Sequence, residues 1–363
     1  MLKKTLKILL AIIVVIALAA IAFVLWLSVN EFKPGDVTDI EISNELNTVG
    51  LNPVEGQNVR IMSWNIGYAG LGKGSDFFMD GGSEVAAADA STVNSNLLGI
   101  YRTLYTSQEH QADIYMLQEV DIDSSRTYGV NESKYLSMFS SAHALNYSCP
   151  FVPFPLPPIG KVNSGIQTST MFQVDSAERI SLPCPFSWPV SAANLKRCML
   201  VERIPIASSD KELVIVNLHL EAYDDGEGKI AQTKQLTDFM LAEYEKGNFV
   251  IAGGDFNQIF PGGLEAYPNE HKDLWEPGTI ESDMLPDGWT LAYDLDTPSC
   301  RLLNQPYDPS DTENTQYYVI DGFIISPNVK LVSVKTQDEG FVYSDHNPVL
   351  LEVTLGDAVH TEA

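Results

Sequence analysis

Six short polar motifs, each closing an apolar strand-like run, constrain this chain more than any other feature. They are Ser63-Trp64-Asn65, Leu117-Gln118-Glu119-Val120, Asn217-Leu218-His219-Leu220, Gly254-Asp255-Phe256-Asn257, Ile320-Asp321-Gly322-Phe323 and Ser344-Asp345-His346-Asn347-Pro348. Strand ends are where a sheet can present polar groups to a common cleft. Amides, carboxylates and imidazoles gathered there suit a hard divalent cation and an attack on phosphorus. Between the motifs, strands outnumber helices and alternate with them irregularly. That pattern predicts a layered α/β sandwich rather than a doubly wound sheet.

The motifs run without a linker-like break, so one domain is expected over 58–356, with a short tail over 357–363. Val59 to Trp64, Asp113 to Val120, Leu195 to Ile204, Leu213 to His219, Phe249 to Gly254, Tyr317 to Ser326 and Val349 to Leu355 read as strands. Val93, Leu97, Ile100 and Leu104 recur at helical spacing and predict a helix from about Ser91 to His110. Leu236, Phe239, Met240 and Tyr244 do the same for Lys229 to Lys246. The proline-rich run from Tyr147 to Ile159 excludes a helix and a central strand. It is expected to pack on the sandwich as a connection, the other reading being an aromatic lip beside the cleft.

Ile8 to Leu27 is twenty residues without a charge, long enough to cross a bilayer as a helix. Lys3, Lys4 and Lys7 precede it and Trp26 sits at its far end. Residues 1–29 thus read as a membrane anchor with a cytoplasmic tip, the bulk of the chain lying outside the cell membrane. A cleaved signal peptide and a secreted protein are the competing reading. Residues 30–57 are acidic and carry Pro34, Gly35, Pro53 and Gly56, as a linker leading to a first strand would. The formal net charge of -26 repels nucleic acid and anionic headgroups beyond the range of specific contacts, and no basic stripe offsets it. Four cysteines, Cys149, Cys184, Cys198 and Cys300, allow disulfides in an exported chain or buried thiols; no C-x-x-C spacing suggests zinc.

An acid closing an apolar strand is costly unless it is paired or coordinates a metal. Glu119, with Asn65, fits the needs of Mg²⁺, which takes one or two carboxylates and the substrate phosphate. Asp255 and Asn257 are two apart and would share a face on an extended backbone, one for a water and one for a phosphate oxygen. Asp321 is the candidate for orienting His346, since a carboxylate fixes an imidazole's tautomer and favours its protonation. His219 supplies a second imidazole. There is no G-x-S-x-G elbow and no H-E-x-x-H helix.

With these residues in order, the chain resembles the endonuclease/exonuclease/phosphatase superfamily, the DNase I-like metal-dependent phosphoesterases, over roughly Val59 to Leu355. The resemblance implies a four-layer α/β sandwich of two mixed sheets flanked by helices. It implies Mg²⁺ or Mn²⁺ at Glu119, with Asn65 and Asp345 in support. It also implies catalytic roles for His219, Asp255, Asn257, Asp321 and His346. Arg126, Lys161 and Asn163 are candidates for phosphate contact. Asn163-Ser164-Gly165 looks like the stretch before a family strand, but Ile166-Gln167-Thr168-Ser169 departs from the family pattern. Asp121 stands where some nuclease members carry a basic residue.

The expected activity is hydrolysis of a phosphodiester or phosphomonoester by in-line attack of water. Acidity, the anchor and the lack of a basic stripe favour a lipid headgroup or small molecule as the phosphoester partner. A DNase I-like endonuclease is the alternative, and a non-catalytic binding module on the same fold is the third reading.

Overall fold

A computed structural model describes residues 2–44, 51–224, 226–282, 284–311 and 313–356. The expected tail, 357–363, lies outside the described residues. Two seven-stranded mixed sheets stack face to face. In one, the strands lie in the order Val37–Asp39, Ser176–Ser181, Cys198–Pro205, Glu212–His219, Phe249–Asp255, Asp321–Ile325 and Thr290–Ala292. In the other, the order is Val329–Thr336, Val349–Leu355, Asn58–Asn65, Ile114–Asp121, Gly160–Thr170, Ser140–Val152 and Ser43–Asn44.

Strand alternation builds the layers. Val59, Ile61, Ile114 and Met116 of one sheet meet Leu213, Ile215, Phe249 and Ile251 of the other in the central core. Met62 and Trp64 face the opposite way, onto Val93, Leu97, Ile100 and Leu104 of the helix Ala90–Thr106. Val214, Val216, Val250 and Ala252 turn outward to Leu236 and Met240 of the helix Glu227–Glu245. Helix, sheet, sheet and helix make the expected four layers, and each layer exists because a period of two divides every strand between two apolar faces.

The helix boundaries differ from the periodicity reading for local reasons. Asp89 accepts a 2.7 Å hydrogen bond from the Thr92 amide and caps the first helix one turn ahead of the apolar pattern. That helix ends at Thr106 because Ser107 turns extended. The second stops at Glu245, and Gly247 takes a positive φ of 85° beyond it.

Residues 30–57 do more than link. Val37–Asp39 pairs with Ser176–Ser181, and Ser43–Asn44 pairs with Ser140–Ser141, so this segment adds an edge strand to each sheet. The expected strand from Tyr317 to Ser326 divides into Tyr317–Tyr318 and Asp321–Ile325. All four cysteines are free thiols, Cys184 exposed and the others buried.

One buried ion pair ties the outer face of the first sheet to its helix. Arg203 meets Glu243 with two hydrogen bonds of 3.0 and 2.8 Å, and Lys246 and Asn248 also donate to Glu243. Burial raises the Glu243 pKa, but these donors outweigh it and lower it from 4.5 to about 2. Its stabilising contribution is therefore complete above pH 4.5 and is lost as pH falls towards 2. Glu243→Gln is expected to lower stability at pH 7 by about 2 kcal/mol. Denaturant melts of the two proteins should converge as pH drops through that window; a constant gap would refute the pairing.

Candidate active site

The central core changes character along its length. On strand after strand the inward-facing series begins apolar and ends polar: Ile61, Ser63, Asn65; Met116, Gln118; Ile215, Asn217, His219; Ile251, Gly253, Asp255; Ile325, Phe323, Asp321. Register does the rest. Asp255 pairs directly with His219 on one side and with Asp321 on the other, and Asn65 pairs with Gln118 across the facing sheet. Beneath these ends, Asn217 locks the sheets together. It donates to the carbonyls of Leu117 and Gln167 and accepts from Gln118 at 2.8 Å.

Glu119 reaches the cleft by a different route. Strict alternation would send it to the helix side, opposite Gln118. A register shift between Leu117 and Val120 breaks the ladder, and Glu119 takes a left-handed φ of 53°. This bulge re-aims the carboxylate to 3.2 Å from Asn65 Nδ2. A non-glycine residue in this region is strained, and such strain concentrates at functional sites.

Asn65 is the hub. Its Oδ1 accepts from the Gly67 amide at 3.0 Å, and a backbone N–H can only donate. Its Nδ2 must therefore face the acids, Glu119 at 3.2 Å and Asp255 Oδ2 at 3.0 Å. Asn65 thus holds the carboxylates through Nδ2, while its Oδ1 is turned to the Gly67 amide. Gly67 is required here, because a Cβ on it would lie 2.8 Å from Asp345 Oδ1.

His346 Nδ1 lies 2.8 Å from Asp321 Oδ2, which leaves Nε2 facing Asn65 at 3.5 Å and Asp255 and Asp345 at 3.8 Å each. Burial would depress the His346 pKa, but the Asp321 carboxylate overrides it and raises it well above 6.5. Asp255 is pushed up to about 7 by burial and then by Asp321. Asp345 is pushed up to about 6 by burial, with Glu119 adding repulsion. His219 Nε2 lies 3.3 Å from Asp255, and its Nδ1 has no hydrogen-bond partner among the described residues. Burial, Arg197 and His346 hold its pKa well below 6.5, so the imidazole is neutral.

Asn257 does not share an extended face with Asp255. Its φ is 50°, its amide donates to Asp255 Oδ1 at 2.8 Å, and its Nδ2 donates to the Leu220 carbonyl. It lines the same cavity nonetheless. Arg126 also lines it, clamped in two hydrogen bonds by Asp121 and seated 3.7 Å over the Tyr68 ring. Asp121 thus fixes the arginine. Lys161 and Asn163 do not line the cavity. Lys161 pairs with Asp123, and Asn163 is engaged with Ser148 and the Asp123 carbonyl on the neighbouring loop.

The cavity also contains groups that the motifs did not point to. Asp80 accepts 2.8 Å from the Tyr223 hydroxyl, and burial raises its carboxyl to about 7. Arg197 is buried with its Nε unpartnered, 3.6 Å from Glu221. No run or spacing marks these side chains in the sequence, since each comes from a loop or just outside a strand.

The donor set suits a hard cation. Glu119, Asp255, Asp321 and Asp345 crowd one region around His346, and Asp321 Oδ1 is buried without a hydrogen-bond partner among the described residues. Two groups have ligand atoms within 4.8 Å of one another, Asp255/Asp321/His346 and Cys300/Asp345/His346. His346 Nδ1 is already committed to Asp321, and burial pushes the Cys300 thiol up to about 12, so neither group is a good ready-made nest. The oxygens of Glu119 and Asp345 fit Mg²⁺ or Mn²⁺ better.

Comparison with solved structures agrees with this architecture. An endonuclease/exonuclease/phosphatase protein from Beutenbergia cavernae matches with TM-score 0.52 at 15% identity, covering 83% of this chain and 72% of that one. ANGEL2, described as a 2′,3′-cyclic phosphatase, matches with TM-score 0.51 at 13% identity over 87% of this chain and 98% of its own. A protein of the same family from Leptotrichia buccalis matches with TM-score 0.50 at 15% identity over 81% and 98%. No family model and no curated protein matches the sequence. The chain has the endonuclease/exonuclease/phosphatase fold.

Proposed function

We propose that this chain is a divalent-metal-dependent phosphoester hydrolase, anchored in the membrane by its N-terminal helix with the domain on the extracytoplasmic side. The observation that supports it most is the meeting of Asn65, Glu119, Asp255, Asp321, Asp345 and His346, drawn from both sheets, with Glu119, Asp255, Asp345 and His346 lining one cavity. The fold neighbours and the apolar helix support the same reading.

Glu119 and Asp345 would hold Mg²⁺ or Mn²⁺, which would polarise a phosphoryl oxygen and offset charge on the phosphate. Asn65 keeps Glu119 and Asp255 in register for this. Asp255, raised to about 7, is poised to take a proton from water near neutral pH. The water oxygen bonds to phosphorus as the opposite P–O bond breaks, and the departing oxygen receives the Nε2 proton of His346. Arg126 carries a fixed positive charge at the cavity wall and serves the phosphate oxygens.

The full chain in lipid nanodiscs should hydrolyse bis(4-nitrophenyl) phosphate with Mg²⁺ or Mn²⁺. Excess chelator should reduce the rate by about 100-fold or more, and added metal should restore it. No turnover of this diester or of 4-nitrophenyl phosphate with either ion would overturn the reading.

A further inference from the structure

We propose that the last turns of the anchor helix form one wall of the substrate cavity, and that the cavity takes the hydrocarbon portion of a membrane lipid whose phosphoester faces Glu119, Asp255 and His346. This rests on the hydrolytic reading above and names its substrate class.

The cavity encloses about 660 Å³, within the range of ligand sites. One end is the acidic cluster. The other is bordered by Phe23, Val24 and Leu27 of the helix Leu2–Val29. Residues 2–22 of that helix are exposed, whereas Phe23 and Val24 are half-buried and Leu27 is buried. These three fall on one side of the helix, and Phe23 and Leu27 pack on Cys149, Val152, Val162 and Ala192. Phe23 meets Phe151 edge-on at 6.0 Å, and Trp188 Nε1 donates to Ser28 Oγ at 2.9 Å. The anchor is docked on the domain beside its chemistry.

The surface around this junction is apolar. Phe154 and Val190, which line the cavity, are 68% and 57% exposed. Leu156 is 90% exposed and Trp188 62%. Side chains of this kind facing water together are unfavourable and mark a contact surface; aromatics in particular favour the bilayer interface. With Ile8 to Leu27 spanning the hydrocarbon, the turns from Phe23 to Leu27 lie at its outer edge. The same turns wall the cavity, so a lipid tail can pass from bilayer to site without crossing water. A small water-soluble phosphoester would leave the apolar half of the cavity unfilled. The proline-rich run from Tyr147 to Ile159 is thus part of this mouth: Val152, Pro153, Phe154 and Ile159 all line the cavity.

The test is a homologous series of n-alkyl 4-nitrophenyl phosphates, from ethyl to decyl, used below micelle-forming concentrations with the full chain in nanodiscs. kcat/KM should rise about fourfold per methylene until the cavity is filled. Val24→Trp, which fills the helix-side wall, should flatten the series; Phe154→Ala, at the opposite lip, should lower its slope independently should the first variant fold poorly. Nanodiscs of phosphatidylcholine and phosphatidylglycerol should release phosphorylated or free headgroup with time, and added soluble glycerophosphodiesters should compete weakly. A series hydrolysed at a rate independent of chain length, or a slope unaltered in both variants, overturns the inference and leaves the hydrolase reading standing. Failure to hydrolyse any member overturns the hydrolase reading itself.

Discussion

His346→Ala is expected to lower kcat on a metal-supported phosphodiester by about 10³-fold, with little change in KM. The side chain is buried at the polar end of the core and its Nε2 faces Asp255, Asp345 and Asn65 within 3.8 Å. Its proton is therefore placed where charge develops, so removing it should cost the transition state more than the ground state. Asp321 acts one step back. Its carboxylate fixes the His346 ring at 2.8 Å, so Asp321→Asn is expected to cost about 10- to 100-fold, as loss of an orienting partner does. The double variant should be no worse than His346→Ala alone, because a positioning group has nothing left to position. Both proteins should keep the wild-type thermal midpoint to within a few degrees. Wild-type turnover by His346→Ala, or full additivity in the double variant, would remove both residues from the assigned roles.

Gly254→Ala is expected to abolish activity by a structural route. Gly254 has φ 144°, and a Cβ there would sit 1.9 Å from the Leu218 carbonyl oxygen. That contact cannot be relieved by a side-chain rotation, since the obstructing atom is backbone. Gly254 pairs with Leu218 and Gly322, one position before Asp255 meets His219 and Asp321. Prising these strands apart should cost more than about 4 kcal/mol and separate the three polar groups. Gly226→Ala is the matched control. Its φ is also positive, at 98°, but apart from its chain neighbours no atom of the described residues lies within 4 Å of the added carbon. It should cost only the backbone strain, about 1–2 kcal/mol, and retain turnover. Equal effects of the two substitutions, read by urea melts and by activity, would show that strand proximity at Gly254 is not what matters.

Much of the site was legible because it is written in strand alternation. Asn65, His219, Asp255 and Asp321 stand at the polar ends of inward-facing series whose other ends are Ile61, Ile215, Ile251 and Ile325. The same periodicity that buries Ile61, Ile215 and Ile251 carries these polar ends to one edge of the core. Residues supplied by loops had no such signal. Arg197, Asp80 and Tyr223 reach the cavity only because the loops fold back over it, and no spacing in the chain encodes that return. Local reasoning also failed where the backbone leaves the extended region. Glu119 and Asn257 adopt φ of 53° and 50°; this turns Glu119 into the cleft against alternation and brings Asn257 to the cavity without an extended backbone. Lys161 and Asn163 are satisfied elsewhere, by Asp123 and by Ser148 of the neighbouring strand.

The chain by itself determined the layers: apolar alternation on so many strands can be buried only by stacking two sheets, and the apolar faces of two helices must cover the outer sides. It also determined that an uncharged segment of bilayer length leads the domain. Only the tertiary structure decided which atom of Asn65 faces the acids, how a bulge turns Glu119 into the cleft, and that the N-terminal helix borders the cavity. Those outcomes depend on contacts between residues far apart in the chain, such as the Gly67 amide on Asn65 and Phe151 on Phe23. A periodic pattern specifies which side of an element is buried; what it is buried against is set by packing in three dimensions.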